Sequence, residues 1–255
     1  MDAQAQASEE SAVVTALGRS AIYRFLSLVF LPVQDDPDGL AREGMEALGA
    51  LRGMASDGRA VPLDTVEQVA DLLHDDAGPA LREEYYRTFG HQIAKDCPLH
   101  ETQYGAGHVF QQAQQLADIA GFYRAFGLEV ADGAGERADH LSMELEFMQV
   151  LTYREAYARR HHGAEQVAQL REAQQAFLRD HLSRWVPVLA RLVSRRTDGV
   201  YRHLADVAAA WVAVDAAALG LPAAEEPDYQ PEPPLDPAES LPSCGLIPDA
   251  ILPQS

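Results

Sequence analysis

β-branched runs bounded by turn residues, the signature of strands, are almost missing from this chain. Apolar residues recur instead at the three- and four-residue spacing of helices that bury one side. Near the start, Val14, Leu17, Ala21, Phe25 and Leu28 keep that spacing, with Ser11 placed to cap the helix and Pro32, Pro37 and Gly39 to end it. Two shorter helices are predicted over about Leu40 to Arg52 and Pro62 to His74, and a third over "GPALREEYYRTFG", closed by Gly90. "HVFQQAQQLADIAGFYRAFGLEV" carries Val109, Ala113, Leu116, Ala120 and Tyr123 on one face and ends at Gly127.

After the loop "ADGAGERADH", the segment "LSMELEFMQVLTYREAYARRHH" has two apolar stripes. Leu141, Leu145 and Met148 form one; Met143, Phe147 and Val150 form the other. A helix apolar on two sides belongs at the centre of a bundle. From Ala164 to Val193 the period is helical again, with Pro187 set to kink or divide it. A last helix, about Asp198 to Leu219, turns Leu204, Val207, Trp211 and Val214 inward. Beyond Leu221 the chain is rich in proline and acid and loses its period. The expectation is one all-α bundle domain over 1–220 with an extended tail over 221–255.

Acids outnumber bases by 39 to 20, a formal charge of −19. Such a field repels phosphate backbones and anionic lipid and favours basic partners, so neither a nucleic acid nor a stable membrane association is expected. Two cysteines, Cys97 and Cys244, lie far apart and form no framework spacing, which suits a reducing compartment. The first residues are acidic without a basic leader, and the apolar stretch Ala21 to Val33 is too short to span a bilayer. A cytoplasmic location is expected.

Chemistry concentrates in "DCPLHETQYGAGHVFQQ". His91, Cys97 and His100 match no zinc spacing, and "HETQY" has Tyr104 where the second histidine of a zincin must stand. No paired Glu-x-x-His motif suggests a di-iron site. No metal and no cofactor is expected. Cys97 as a nucleophile would need a depressed pKa, and neighbouring Asp96 works against that. "GAGER", at Gly133 to Arg137, lacks the Lys-Ser/Thr of a phosphate loop. Asp139 reads by itself as a helix N-cap followed by His140 in the first turn. Residue types alone leave open a nucleotide hydrolase using the Gly133 loop and His140, or a helical adaptor working through its tail.

The ordered set "EEYYRTFG…CPLHETQYG…FYRAFGLEV…ADHLSMELEFMQVL" resembles the TorD/DmsD/NarJ family of cytoplasmic chaperones for molybdenum oxidoreductases. The resemblance is close over about Arg82 to Leu151. Leu99 stands where the family has a second proline, Thr88 where it has leucine, and Ala138 near its proline before Asp-His. The resemblance implies an all-helical, non-enzymatic chaperone. It would bind the N-terminal, twin-arginine-type segment of a catalytic subunit and hold it for cofactor insertion before export or assembly. Carried over to this chain, the implied peptide-binding residues are Tyr85, Phe89, Pro98, Glu101, Tyr104, Asp139 and His140. Carboxylates there would receive guanidinium groups and the aromatic rings would cover the apolar part. His140, titrating near neutrality, would modulate release.

Overall fold

The computed structural model describes residues 3–32, 37–56, 67, 78–90, 96–104, 109–131 and 135–223. These residues form α1 (Ala3–Val29), α2 (Pro37–Ser56), α3 (Gly78–Phe89), α4 (Val109–Ala125), α5 (Leu141–His161), α6 (Ala164–Phe177), α7 (Ser183–Arg196) and α8 (Val200–Ala218). Among them there is no strand, and an isolated antiparallel bridge joins His100 to His140. The helix expected over Pro62 to His74, the Gly133 loop, His91 and the tail beyond Ala223 lie outside the described residues.

α5 is the central helix, as its two stripes require. It packs along α1 and α6, and Leu141, Leu145, Phe147, Met148 and Leu151 are all buried. The start of α1 differs from the sequence reading, because helix continues back to Ala3 and Ser11 lies inside it. Ala, Gln and Glu in that stretch are good helix formers, and Glu9 and Glu10 pair with Arg159 and Arg160 of α5. The buried face also differs. Val14 and Leu17 are exposed, whereas Val13, Ala16, Arg19, Tyr23 and Leu26 face inward.

Arg19 explains that rotation. Its guanidinium donates to Asp215 of α8 at 2.6 and 2.9 Å and to Glu155 of α5 at 3.0 Å, and Tyr23 donates to the same Asp215 carboxylate. Gln174 of α6 closes the set by donating to Glu155. Burial works against the Arg19 charge, yet the Asp215 carboxylate beside it raises its pKa overall. By length and composition Gln4–Val29 could cross a bilayer, which the shorter stretch read from sequence did not suggest. In the bundle, 56% of its most apolar window is buried, against neighbours that include these polar partners.

Two junctions position the remaining helices. The expected break near Pro187 falls one turn earlier, in a π-helical turn at Leu178–Leu182, and Pro187 itself lies within α7. A widened turn lets the chain bend without surrendering its ladder. At α8 the cap comes from another helix: the Glu84 carboxylate of α3 accepts from the Val200 and Tyr201 amides at 3.0 and 3.3 Å and from Thr197 Oγ1 at 3.1 Å. A side chain at 199 would push that carboxylate aside, so Gly199 leaves room for the cap. Gly90 and Gly127 adopt φ of 76° and 68° to end α3 and α4.

Candidate functional site

The loop from Asp96 to Tyr104 lies against the start of α5, and backbone bonds fix it there. Glu101 N–H donates to Asp139 O at 2.9 Å, and Leu141 N–H donates to Leu99 O at 2.8 Å. Tyr104 folds the loop on itself by donating to Pro98 O at 2.7 Å, and its ring lies 5.1 Å from that of Trp185 of α7. Arg196, near the end of α7, ties Asp96 at 3.0 Å and the Thr88 carbonyl at 3.1 Å.

Asp139 is not the N-cap of α5. His140 takes that role, with Nδ1 accepting from Ser142 N–H at 3.2 Å. The Asp139 carboxylate is instead fully buried, and Oδ2 accepts from Thr102 Oγ1 at 2.6 Å and from Arg137 at 2.8 Å. His100 and His140 stand edge to face, 5.0 Å apart, with Glu136 Oε2 at 3.8 and 3.7 Å from their Nε2 atoms. Burial, with His100 adding a lesser effect, pushes His140 down to about 3. The expectation that His140 titrates near neutrality is therefore corrected: it stays neutral there because the buried ring cannot be solvated as a cation. His100 is lowered as well, chiefly by burial.

Deeper in, Glu144 is fully buried on the apolar stripe of α5. Its Oε2 accepts from Trp185 Nε1 at 3.1 Å, and its carboxyl also hydrogen-bonds that of Glu101, a contact that needs a proton between them. Burial first, then the neighbouring Glu101, raise this carboxyl well above the usual range. Glu101 Oε2 meets His181 Nδ1, on the π-helical turn, at 2.9 Å. The other ring nitrogen of His181 faces the exposed Asp118 at 3.7 Å, and Phe122 and Phe177 pack on its ring.

The seven residues singled out from sequence are thus all buried, in two adjoining groups. Pro98, Glu101, Tyr104, Asp139 and His140 make the loop–α5 junction. Tyr85 and Phe89 belong to an aromatic cluster with Phe30 and Tyr201, with ring centroids 5.1 to 6.3 Å apart. The groups meet electrostatically at Glu136, whose charge, after burial, raises the Tyr85 hydroxyl pKa. Sequence reasoning missed Glu144, His181, Trp185 and Glu136. Glu144 had a signal: it shares its helical face with Leu141, Leu145 and Met148, where an acid is out of place.

The arrangement is poor in reactive groups. Burial pushes the Cys97 thiol up to about 11, leaving little thiolate at neutral pH, and the His140 acceptor nitrogen is committed to the cap. Among the described residues, no group of three or more His, Cys, Asp or Glu is placed to hold a metal ion. Two cavities lie elsewhere, one of about 280 Å³ beside Arg19, Glu155 and Arg171, the other of about 380 Å³ between α7 and α8. None of the seven residues lines either.

Comparison with known proteins agrees with the motif pattern. The chain is 28% identical over 136 residues to a protein of Dechloromonas aromatica (strain RCB) described as a perchlorate reductase assembly chaperone protein. The match covers 50% of this chain and 60% of that relative. The motifs of the TorD/DmsD/NarJ resemblance fall within the matched family region, and the family is one of assembly chaperones rather than catalysts. Residues 56–191 match the family described as nitrate reductase delta subunit, and the chain belongs to that family.

Proposed function

We propose that the protein is a dedicated, cytoplasmic assembly chaperone for the catalytic subunit of a molybdenum-containing oxidoreductase. It holds the N-terminal, twin-arginine-type segment of that subunit until cofactor insertion is complete, before export or assembly. The observation that carries this reading is the carboxyl-rich junction of the 96–104 loop with α5, where Glu101, Glu136, Asp139 and Glu144 gather. Arg137 is the one arginine hydrogen-bonded to any of them among the described residues. Such a surplus of acid suits a basic peptide, and the chain's charge of −19 steers one toward it. Pro98 and Tyr104 act from beneath, as supports that fix the loop, and Tyr85 and Phe89 support the helices through their aromatic cluster rather than as an open lining.

Holding a subunit needs binding energy and no turnover, which suits a site without a nucleophile–base pair. The test is capture of the catalytic subunit co-expressed with this chain, with and without its first segment. Retention of the intact subunit and loss of the truncated one is expected. Equal retention of both would overturn the assignment of the segment as the handle.

A further inference from the structure

The cavity of about 380 Å³ between α7 and α8 plays no part in the loop–α5 junction. Small residues of α8, Ala209, Ala213 and Ala216 among them, leave the space, and Ser183 and Pro187 of α7 form the facing wall. Ser183 Oγ is buried without a hydrogen-bond partner. An apolar hollow of this size with one unused polar group has the form of a binding pocket, and pairing that group is something an occupant can supply. Its rim is basic. Arg184, Arg191 and Arg195 are exposed, and with half-buried Pro187 they recur at three- and four-residue spacing along one face of α7. The row spans about 17 Å at the helical rise. Of the nearby acids, Asp180 is held by Arg179 and Asp198 by Arg202, and Asp206 is half-buried. In a chain of net charge −19, such a row beside an apolar hollow marks a face for an acidic occupant.

The chain itself supplies one at the lip of the cavity. Leu221, Pro222 and Ala223 line it, and Ala223 is the last described residue, so the remaining segment sets out from the cavity wall. Residues 224–239 carry six acids, no base and five prolines. We propose that this segment docks on the α7–α8 face of its own chain, with Tyr229 in the cavity and Glu232 and Asp236 on the arginine row. Tyr229 lies six residues past Ala223 and has both the bulk to enter the hollow and a hydroxyl to pair with Ser183. From Tyr229 to Asp236 the chain covers about 22 Å at the polyproline rise, enough to follow the row. Its prolines restrict the free segment, so less freedom is lost when it docks. Attachment at Ala223 makes the contact intramolecular, at an effective concentration on the order of millimolar, and modest contacts then suffice.

The experiment uses the full chain carrying Cys244→Ser and Gln230→Cys, so that a nitroxide attaches beside Tyr229 while buried Cys97 stays unlabelled. In amide NMR spectra, the signals of Ala213, Ala217 and Arg191 are expected to fall below about half their intensity with the nitroxide reduced, because they lie on the docking face. They should recover in about 1 M salt, where the screening length is about 3 Å. Combined Arg184→Gln, Arg191→Gln and Arg195→Gln substitutions should restore them as well, and so should Tyr229→Ala. If the triple variant does not fold, salt and Tyr229→Ala decide on the otherwise unaltered chain. Undiminished signals on α7 and α8 would overturn the proposal, as would a loss that neither salt nor these substitutions relieve. An equal loss in isotope-enriched, unlabelled chains mixed with nitroxide-bearing, unenriched ones would seat the segment on a second copy and overturn it too.

Discussion

Two of the polar networks buried among the described residues are built on opposite principles. Around Arg19, one guanidinium meets Asp215 and Glu155, and Tyr23, Gln174, Arg159 and Arg171 satisfy the remaining oxygens. Charges balance, and no atom of Arg19, Glu155, Gln174 or Asp215 is left without a partner. Around Glu144, carboxyls outnumber cations, burial and the hydrogen-bonded Glu101 carboxyl favour its protonated form, and Asp139 Oδ1 goes unpaired. The first network clamps α1 to α5, α6 and α8. The second carries a surplus of acid, and the proposed peptide-holding function rests on that surplus.

Removing the centre of the balanced network should have the largest effect. Arg19→Met strands two buried carboxylates and is expected to cost about 3–5 kcal/mol in denaturant unfolding. Adding Asp215→Leu to that variant should restore part of the loss. A smaller effect is expected at the other network. Glu144→Leu removes a buried acid but leaves Trp185 Nε1–H without its acceptor, so it should cost no more than about 1–2 kcal/mol, while weakening partner capture. A Glu144→Leu loss as large as that of Arg19→Met would show that the two networks are alike after all.

Titration sharpens the same contrast. Glu144 has a raised folded pKa, so the stability it contributes is complete below its unfolded value and is lost as pH rises through the folded one. The cost of Glu144→Leu should therefore be smaller at pH 8 than at pH 5. His140 works the other way. Its folded pKa of about 3 lies below the unfolded value, so the unfolded chain binds the proton first and stability falls as pH drops from about 6.5 toward 3. His140→Asn, which keeps a capping acceptor, should flatten that fall in a pH series of thermal melts. The smallest effect belongs to the exposed Arg160–Glu10 pair, where Glu10→Ala should change stability by no more than about 0.5 kcal/mol.

Much of this was legible in the residues, for local reasons. Gly90 and Gly127 mark helix ends because only glycine enters positive φ cheaply, and both stand where the sequence placed them. The double stripe of α5 announced a central helix, and the four-part motif pattern announced the family. What failed, failed where a charged residue sits on a buried face. Taking Val14 and Leu17 as inward followed hydrophobicity, but Arg19 faces the core because Asp215, 196 residues away, neutralises it. Asp139 looked like an N-cap because a cap is a local device. Of its real partners, Arg137 stands two residues away and Thr102 is brought to it by the folded loop.

The amino-acid sequence by itself determined the helices, most of their ends and the kinship of the chain. Those follow from periodicity, capping and backbone freedom, which act within a few residues. Only the tertiary structure decided which charges are buried, which of them are paired, and that Glu101 meets both Glu144 and His181. Coulomb interactions and desolvation depend on distance through space and on the exclusion of water, and neither is written in the order of the residues.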